Sequence, residues 1–168
     1  MFQAACRLPT GSPFKIHKIL VLIDFSDCAK KALQYALPLA REHEASITLL
    51  YVVTPPSYPL GEFGGMEYAG LLPDLKVGGE KELSAFADAE IHGEVPVDKI
   101  VSTGAPSVEI VDAAKRLDSD IIVISTHGRT GLKHVLLGSV AEHVIRSAPC
   151  PVLVVREREH EILATTPK

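Results

Sequence analysis

The chain has 168 residues, of which 46% are hydrophobic and 23% charged, and its formal net charge is −4. This length and apolar content suit one globular domain with a substantial core. The acidic balance argues against nucleic acid as the main partner, because binding to a phosphate backbone needs clustered Lys and Arg. No apolar stretch approaches the length of a transmembrane helix, so no membrane partner is expected.

The three cysteines are widely spaced and form no C-x-x-C motif. An odd number suits no closed set of disulfides, which predicts reduced thiols in a cytoplasmic protein. The N-terminus lacks the apolar segment of a secretory signal. We expect residues 1–15 to be a flexible lead, residues 16–156 to be a single α/β domain, and residues 157–168 to be a charged tail.

The first part of the chain predicts a strand, a helix and a second strand. Lys18–Asp24 reads K-I-L-V-L-I-D, a short continuous apolar run that is typical of a strand buried on both faces. Ser26 or Asp27 is expected to cap the following helix, and Pro38 is expected to kink or break it. Ile47–Val53 is predicted to be a second buried strand.

The middle of the chain is less regular. Residues 54–73 hold four prolines and four glycines without a consistent period, so we expect a long loop there. A helix is predicted over Glu80–Ile91, since Gly78 and Gly79 weaken any earlier start.

The last part continues the alternation, with strands predicted over Val97–Thr103, Asp120–Ser125 and Pro151–Arg156. A helix is predicted to begin near Pro106, and the last helix is predicted to begin at Ser139, which has the spacing of a capping box with Glu142. Strands that alternate with helices imply right-handed crossovers. The pattern therefore predicts an α/β fold with a parallel, doubly wound sheet covered by helices on both faces.

In such a sheet, ligands bind outside the carboxyl ends of the strands, where the strand order reverses. The first predicted strand ends at Asp24, whose carboxylate can accept hydrogen bonds from an adenine amine or a ribose hydroxyl. The fourth ends at Ser125, and the loop after it is punctuated by glycines, namely Gly128, Gly131 and Gly138. Uncovered amides before a helix, aided by the helix dipole, favour a phosphate.

The polar residues of this loop suit an anion better than a metal. Arg129 adds positive charge, and His127 is expected to face a phosphate or the solvent, because no carboxylate or cysteine lies at ligand spacing. We therefore expect no metal site. Two simpler interpretations stay open, namely that Asp24 only caps the first helix and that the glycines only mark a turn.

The sequence lacks the signatures of several enzyme classes. It has no G-x-x-x-x-G-K-S/T phosphate loop, no G-x-G-x-x-G dinucleotide motif and no G-x-S-x-G nucleophile turn. No general base is positioned and no metal-binding carboxylate lies in the loop, so we expect no enzyme activity beyond slow ATP hydrolysis.

The chain resembles the universal stress protein family over about Lys15–Arg156. Three strings are typical of that family: D-F-S, T-H-G-R-T-G-L-K-H-V-L-L-G-S-V-A-E-H-V-I and A-P-C-P-V-L-V-V-R. Its nucleotide-binding members carry G-x2-G-x9-G-S/T. Here Ser125 replaces the first glycine, and the pattern continues through Gly128, Gly138 and Ser139.

The resemblance implies a five-stranded parallel sheet in the order 3-2-1-4-5, with ATP or AMP, with or without Mg²⁺, between strands 1 and 4. It assigns the adenine end to Asp24 and the backbone of Val52. Ser125 and Gly128 would line the ribose and phosphates. The phosphate oxygens would be bound at the start of the last helix, by Gly138, Ser139 and Val140.

The resemblance also implies a homodimer, because the family commonly pairs through its last strand, here Val152–Val155. An apolar sheet edge favours such a partner by itself. The expected function is a stress-response sensor or regulator that binds an adenine nucleotide. The alternative is a dimeric stress-associated module without nucleotide, which the side chain of Ser125 favours. Ile23, where ATP-binding relatives often have threonine, is a second departure, and both departures are of the kind that weakens binding or changes the preferred nucleotide.

Overall fold

The computed structural model describes residues 15–54, 64–126 and 137–156. Strands and helices alternate through these residues, and their bounds are β1 Lys18–Leu22, α1 Asp27–His43, β2 Ser46–Val53, α2 Gly64–Ile91, β3 Val97–Thr103, α3 Pro106–Leu117, β4 Ile121–Ser125, α4 Ser139–Ser147 and β5 Val152–Val155. Apart from Lys15, the expected N-terminal lead and the charged tail lie outside the described residues.

The strands form one parallel sheet in the order β3-β2-β1-β4-β5. The expected fold class and strand order are therefore confirmed. The chain winds outward from β1 through β2 to β3, and then returns to the other side of β1 with β4. The strand order thus reverses between β1 and β4, which places the expected binding crevice at the carboxyl ends of those two strands.

Helices cover both faces of the sheet. Because consecutive side chains of the central strands point to opposite faces, both sets of side chains are buried. Ile19 and Val21 pack with α1 and α2 on one face. Leu20 and Ile122 pack with α3 and α4 on the other. Each of these four side chains is at most 1% exposed. Burial on both faces explains why the strands read as continuous apolar runs.

Helix α1 begins as the sequence predicts and continues beyond the predicted interruption. Ser26 is its N-cap, and its side chain accepts a hydrogen bond from the Ala29 N–H. The helix then runs through Pro38 to His43 without a break. Leu37 and Ala40, on either side of this proline, are buried against the sheet. Their burial offsets the hydrogen bond that the proline removes.

Helix α2 corrects the prediction for the middle of the chain. It begins at Gly64 rather than Glu80, and it passes through Pro73, Gly78 and Gly79. The part of the expected loop over residues 55–63 lies outside the described residues. A Cβ on Gly79 would lie 2.9 Å from Cε1 of Tyr51, so this glycine allows the helix to approach β2 closely. The presence of glycine at position 79 is therefore explained by close packing against β2 and not by helix termination.

Among the α2 residues whose burial the structure describes, 72–91, the buried positions are spaced four residues apart: Gly79, Leu83, Ala87 and Ile91. Residues 73–78 are all exposed. Within the described part of the chain, no helix combines the length and the apolar character needed to cross a membrane, and this includes α2.

Candidate functional site

Three predicted site residues come together at the carboxyl ends of adjacent strands. β1 pairs with β2 through Leu22 and Leu50, and it pairs with β4 through Val21 and Val123. If the same registers continue past the end of β1, Asp24 lies level with Val52 and one residue beyond the level of Ser125. With that register, Asp24, which follows β1, lies beside Val52 at the end of β2 and Ser125 at the end of β4, as a binding crevice at this edge requires.

The backbone of Val52 faces the place where β1 has ended. The Leu50 carbonyl accepts a hydrogen bond from the Ile23 N–H at 2.9 Å, so Leu50 directs its backbone groups toward β1. In a parallel strand, alternate residues direct their backbone groups to the same side. Val52 therefore points its N–H and C=O toward the segment at Asp24, beyond the last ladder bond described between these strands. A donor and an acceptor at this position suit the edge of a purine base.

Asp24 lies in a tight turn that leads into α1. Its Oδ1 accepts hydrogen bonds from the Ser26 N–H at 3.1 Å and from the Ser26 hydroxyl at 2.6 Å. The same hydroxyl oxygen accepts from Ala29 N–H at 3.1 Å and so caps the helix. Ser26 is therefore the cap, and Asp24 fixes its side chain. The simpler interpretation, with Asp24 as the cap itself, does not hold.

Phe25 separates these two residues and adopts a left-handed backbone conformation, with φ of 62°. For a residue with a Cβ, that conformation costs roughly 1–2 kcal/mol. Its ring packs against Tyr51 and Phe86, with centroid separations of 4.7 and 5.9 Å. Sequence reasoning singled out neither Phe25 nor Tyr51, although both lie next to predicted site residues. The string D-F-S identified the turn, but nothing in it indicates a positive φ.

The two ends of the glycine-rich loop are joined by a backbone hydrogen bond. Gly138 donates its N–H to the carbonyl of Thr126 at 2.9 Å, and Thr126 donates its own N–H to the carbonyl of Val155. Thr126 is only 3% exposed and was not among the predicted site residues. The loop between them contains four predicted site residues that lie outside the described residues, namely His127, Gly128, Arg129 and Gly131.

A glycine is needed at position 138 because the Thr126 backbone lies too close for a side chain, and not because of its backbone conformation. Its φ is −70°, which any residue can adopt. A Cβ at this position would lie 2.9 Å from the Thr126 carbonyl oxygen, closer than packed atoms allow. Because the Gly138 amide is bonded to Thr126, its observed role is to close the loop. Its predicted role as a phosphate donor would require that bond to be exchanged.

Helix α4 begins at Ser139 as predicted, but its cap differs from the prediction. Gly138 is the N-cap and no side chain caps the helix, so Ser139 is the first helical residue and the predicted capping box is wrong. Glu142 instead accepts a hydrogen bond from Arg146 at 2.9 Å. The first-turn amides of a helix have no partner within it. Those of Ser139 and Val140 are therefore the donors that this helix start can offer to an anion.

Two groups with a shifted pKa, the Asp120 carboxyl and the Cys150 thiol, lie at the amino ends of the strands, opposite the crevice. Backbone hydrogen bonding from His17 lowers the pKa of Asp120, whose Oδ2 accepts from the His17 and Lys18 N–H groups at 2.7 and 2.9 Å. Desolvation raises the pKa of the Cys150 thiol, and the charge of Asp120 adds to that effect. A raised pKa makes Cys150 a weaker nucleophile at neutral pH. Neither group faces the crevice.

In the described ranges, 15–54, 64–126 and 137–156, no group of three or more His, Cys, Asp or Glu residues is arranged to hold a metal ion. The described part of the crevice therefore offers one carboxylate, backbone groups and a helix N-terminus.

Comparison with known proteins identifies the family of this chain. The model of the universal stress protein family matches residues 15–156. The chain belongs to the universal stress protein family. Among curated members, universal stress protein MJ0531 of Methanocaldococcus jannaschii is 37% identical over 145 residues, which cover 86% of this chain and 84% of that protein.

Solved structures of universal stress proteins share the fold. UspA from Lactobacillus plantarum is 28% identical, covers 84% of this chain and 99% of its own, and superposes with a TM-score of 0.74. The universal stress protein from Archaeoglobus fulgidus, solved in complex with dAMP, is 25% identical. It covers 83% of this chain and 97% of its own, with a TM-score of 0.58.

Proposed function

We propose that this universal stress protein binds an adenine nucleotide, ATP or AMP, between the carboxyl ends of β1 and β4 and acts as a stress-response regulator. One observation carries the proposal: β1 pairs with β2 as far as Leu22 and Leu50 and with β4 as far as Val21 and Val123, and the same registers continued past β1 bring Asp24 level with the backbone of Val52 and beside Ser125. A family member with the same fold has been solved with dAMP, which supports the same ligand class for this chain.

The proposed roles divide along the crevice. Asp24 and Val52 bind the base, and Ser125 lies beside the ribose. The amides of Ser139 and Val140 bind phosphate oxygens at the positive end of α4. The loop residues assigned to the phosphates by sequence are His127, Gly128, Arg129 and Gly131, with Gly138 closing the loop. Mg²⁺ would accompany the phosphates as a ligand of the nucleotide, since the described residues supply no metal cluster.

A matched pair of variants at Ser139 tests the phosphate end. Ser139→Pro removes one amide, and the first helical position accepts proline, as α3 shows with Pro106. Gly138, at φ −70° and ψ 153°, already has the extended conformation that a residue before proline adopts. Ser139→Ala keeps the amide and removes only the hydroxyl.

The measurement is isothermal titration with ATP, ADP and AMP. We expect the parent to bind, Ser139→Ala to stay within about threefold of it, and Ser139→Pro to bind ATP about tenfold more weakly, as expected for one lost charge-assisted hydrogen bond. If the folded parent releases no heat at millimolar nucleotide, the proposal fails. If both variants match the parent, the assignment of the phosphates to α4 fails.

We propose regulation by binding and not by turnover. Asp24 is the one carboxylate at the described part of the crevice, and its Oδ1 is engaged by Ser26, so it is poorly arranged as a general base. The three cysteines of the chain are widely spaced and odd in number, a pattern that suits reduced thiols, and we therefore propose that the protein acts in the cytoplasm.

We also propose a homodimer through β5, because the two edges of the sheet differ. The edge strand β3 exposes Asp98 and Lys99, charges that discourage strand addition. The edge strand β5 consists of Val152–Val155 and carries no charge. The carbonyls of Pro151 and Val155 face β4, since they accept hydrogen bonds from the N–H groups of Ile122 and Thr126. By alternation, Val152 and Val154 direct their N–H and C=O groups outward, where an antiparallel copy can pair with them.

Val154→Pro tests this dimer without removing a β4–β5 bond, because it deletes an outward N–H. Val154→Thr keeps both the branching and the N–H and is its control. By sedimentation, we expect the parent and Val154→Thr to be dimers and Val154→Pro to be a monomer. A parent that sediments as a monomer at tens of micromolar, on the order of a weak homodimer's dissociation constant, would remove the dimer proposal and leave nucleotide binding intact.

A further inference from the structure

The residue between Asp24 and its hydrogen-bond partner Ser26 is aromatic and has a positive φ. Phe25, at φ 62°, occupies a conformation that glycine or asparagine would take at much lower cost. A bulky side chain held there implies that the surrounding structure fixes it. The turn at residue 25 is therefore set by contacts outside the turn.

Those contacts form an aromatic cluster of Phe25, Tyr51 and Phe86. The rings of Phe25 and Tyr51 are 4.7 Å apart and tilted by 55°, and Phe86 meets Phe25 edge-on at 5.9 Å. Both separations lie in the range of favourable ring pairs. All three rings are partly buried against the core on the α1 and α2 side of the sheet.

The cluster connects three elements around the base end of the crevice. Phe25 follows β1, Tyr51 immediately precedes Val52 in β2, and Phe86 belongs to α2. Gly79 completes the packing, because its missing Cβ leaves room for the Tyr51 ring beside α2. The two residues proposed to bind the base, Asp24 and Val52, are thus each adjacent in sequence to a ring of the cluster.

We infer that this aromatic cluster is a positioning device for the base end of the crevice: by holding the left-handed turn at Phe25, it fixes the direction of the Asp24 carboxylate. The inference rests on the proposed nucleotide binding. Asp24 accepts two bonds from Ser26 across the turn. An extended residue at position 25 would separate those partners and release the carboxylate. Phe25 is accordingly a positioning residue that acts through Asp24.

Phe25→Gly tests the cluster because it separates the ring from the backbone conformation. Glycine adopts φ near 62° without cost but also many other conformations, so the turn remains possible and is no longer fixed. Phe25→Tyr keeps the ring. In titrations with ATP, we expect Phe25→Gly to bind about tenfold more weakly and Phe25→Tyr to stay within about twofold of the parent.

A double-mutant cycle with Asp24→Asn distinguishes positioning from general packing. The asparagine side chain would keep an acceptor for Ser26 but lose the charge that meets the base or ribose. If Phe25 acts through Asp24, then adding Phe25→Gly to Asp24→Asn weakens ATP binding by no more than about twofold. If the double variant instead loses ATP affinity by the product of the two single losses, the ring acts independently of the carboxylate, and the inference is overturned.

The remaining outcomes are also decisive. A folded parent that binds no ATP overturns the proposed function and this inference together. A parent that binds ATP, with Phe25→Gly binding equally well, overturns the inference alone. If Phe25→Gly fails to fold by circular dichroism, Phe86→Leu replaces it in the cycle, since it removes one ring contact and keeps Phe25. We expect about threefold weaker binding from Phe86→Leu, and unchanged affinity would overturn the inference.

Discussion

The two ends of the same parallel strands are built differently. At the amino ends, Asp120 accepts two backbone hydrogen bonds, and the Lys18 ammonium donates to the Leu117 carbonyl at 2.9 Å. At the carboxyl ends, Asp24 lies in a turn with a strained Phe25, and Val52 faces the end of β1. One end satisfies its polar groups within the chain. The other end is where we propose that a nucleotide binds, on turns and loops that the rigid sheet supports.

The variant with the largest expected effect at the carboxyl ends is Gly138→Val. A Cβ would approach the Thr126 carbonyl to 2.9 Å, so the loop ends must separate or α4 must shift. We expect a loss of about 1–3 kcal/mol in the free energy of unfolding, as for other overpacked sites, together with loss of detectable ATP binding. Denaturant unfolding and titration measure the two effects. A stable variant that still binds ATP would show that this closure is dispensable.

The corresponding variant at the amino ends is Asp120→Ala. It removes the acceptor for the His17 and Lys18 amides. Since this carboxylate is largely exposed and screened by solvent, we expect a loss of about 1 kcal/mol in the free energy of unfolding. ATP affinity should not change. Asp98→Ala, an exposed acid on β3, is the control. Weaker ATP binding by Asp120→Ala would contradict the separation of the two ends.

The pH dependence of stability should identify the same carboxylate. The pKa of Asp120 is lowered in the folded protein, mainly by hydrogen bonding from His17. Its contribution to the free energy of unfolding is therefore complete above the ordinary aspartate pKa of about 3.9. It is lost as the pH falls through the lower folded value. Unfolding curves of the parent and Asp120→Ala should converge in that acidic window, and a constant difference would exclude Asp120 as the titrating group.

The smallest expected effect comes from a comparison of three residues with a left-handed backbone, Glu44, Asp118 and Phe25. Glu44 ends α1 at φ 55° and contributes its backbone N–H to the last turn. Glu44→Gly removes the Cβ strain, and we expect it to raise the free energy of unfolding by a few tenths to about 1 kcal/mol. Asp118→Gly, at the equivalent position of α3, is the matched variant. Phe25→Gly relieves the same strain but loses the ring contacts, so its stability should fall. If glycine raised the free energy of unfolding at all three positions, the aromatic cluster would contribute little to stability.

The elements whose signals are local could be predicted from the amino-acid sequence alone. Continuous apolar runs predicted the strands, because both faces of a parallel strand are buried. Ser26 was one of two predicted caps, and its side chain does cap α1. The strings typical of the family supplied the strand order that the structure confirms. That order is sufficient to bring Asp24, Val52 and Ser125 to one edge, and their roles in binding stay a prediction.

The features that depend on contacts between residues distant in the chain became visible in the folded structure and could not be predicted from local patterns. Gly79 does not end a helix, because the ring it accommodates belongs to β2. The need for Gly138 comes from the carbonyl of Thr126 on the other side of the loop, and the positive φ of Phe25 is held by rings from β2 and α2. A local pattern reports what one segment prefers. Close packing between segments determines which preference is overridden.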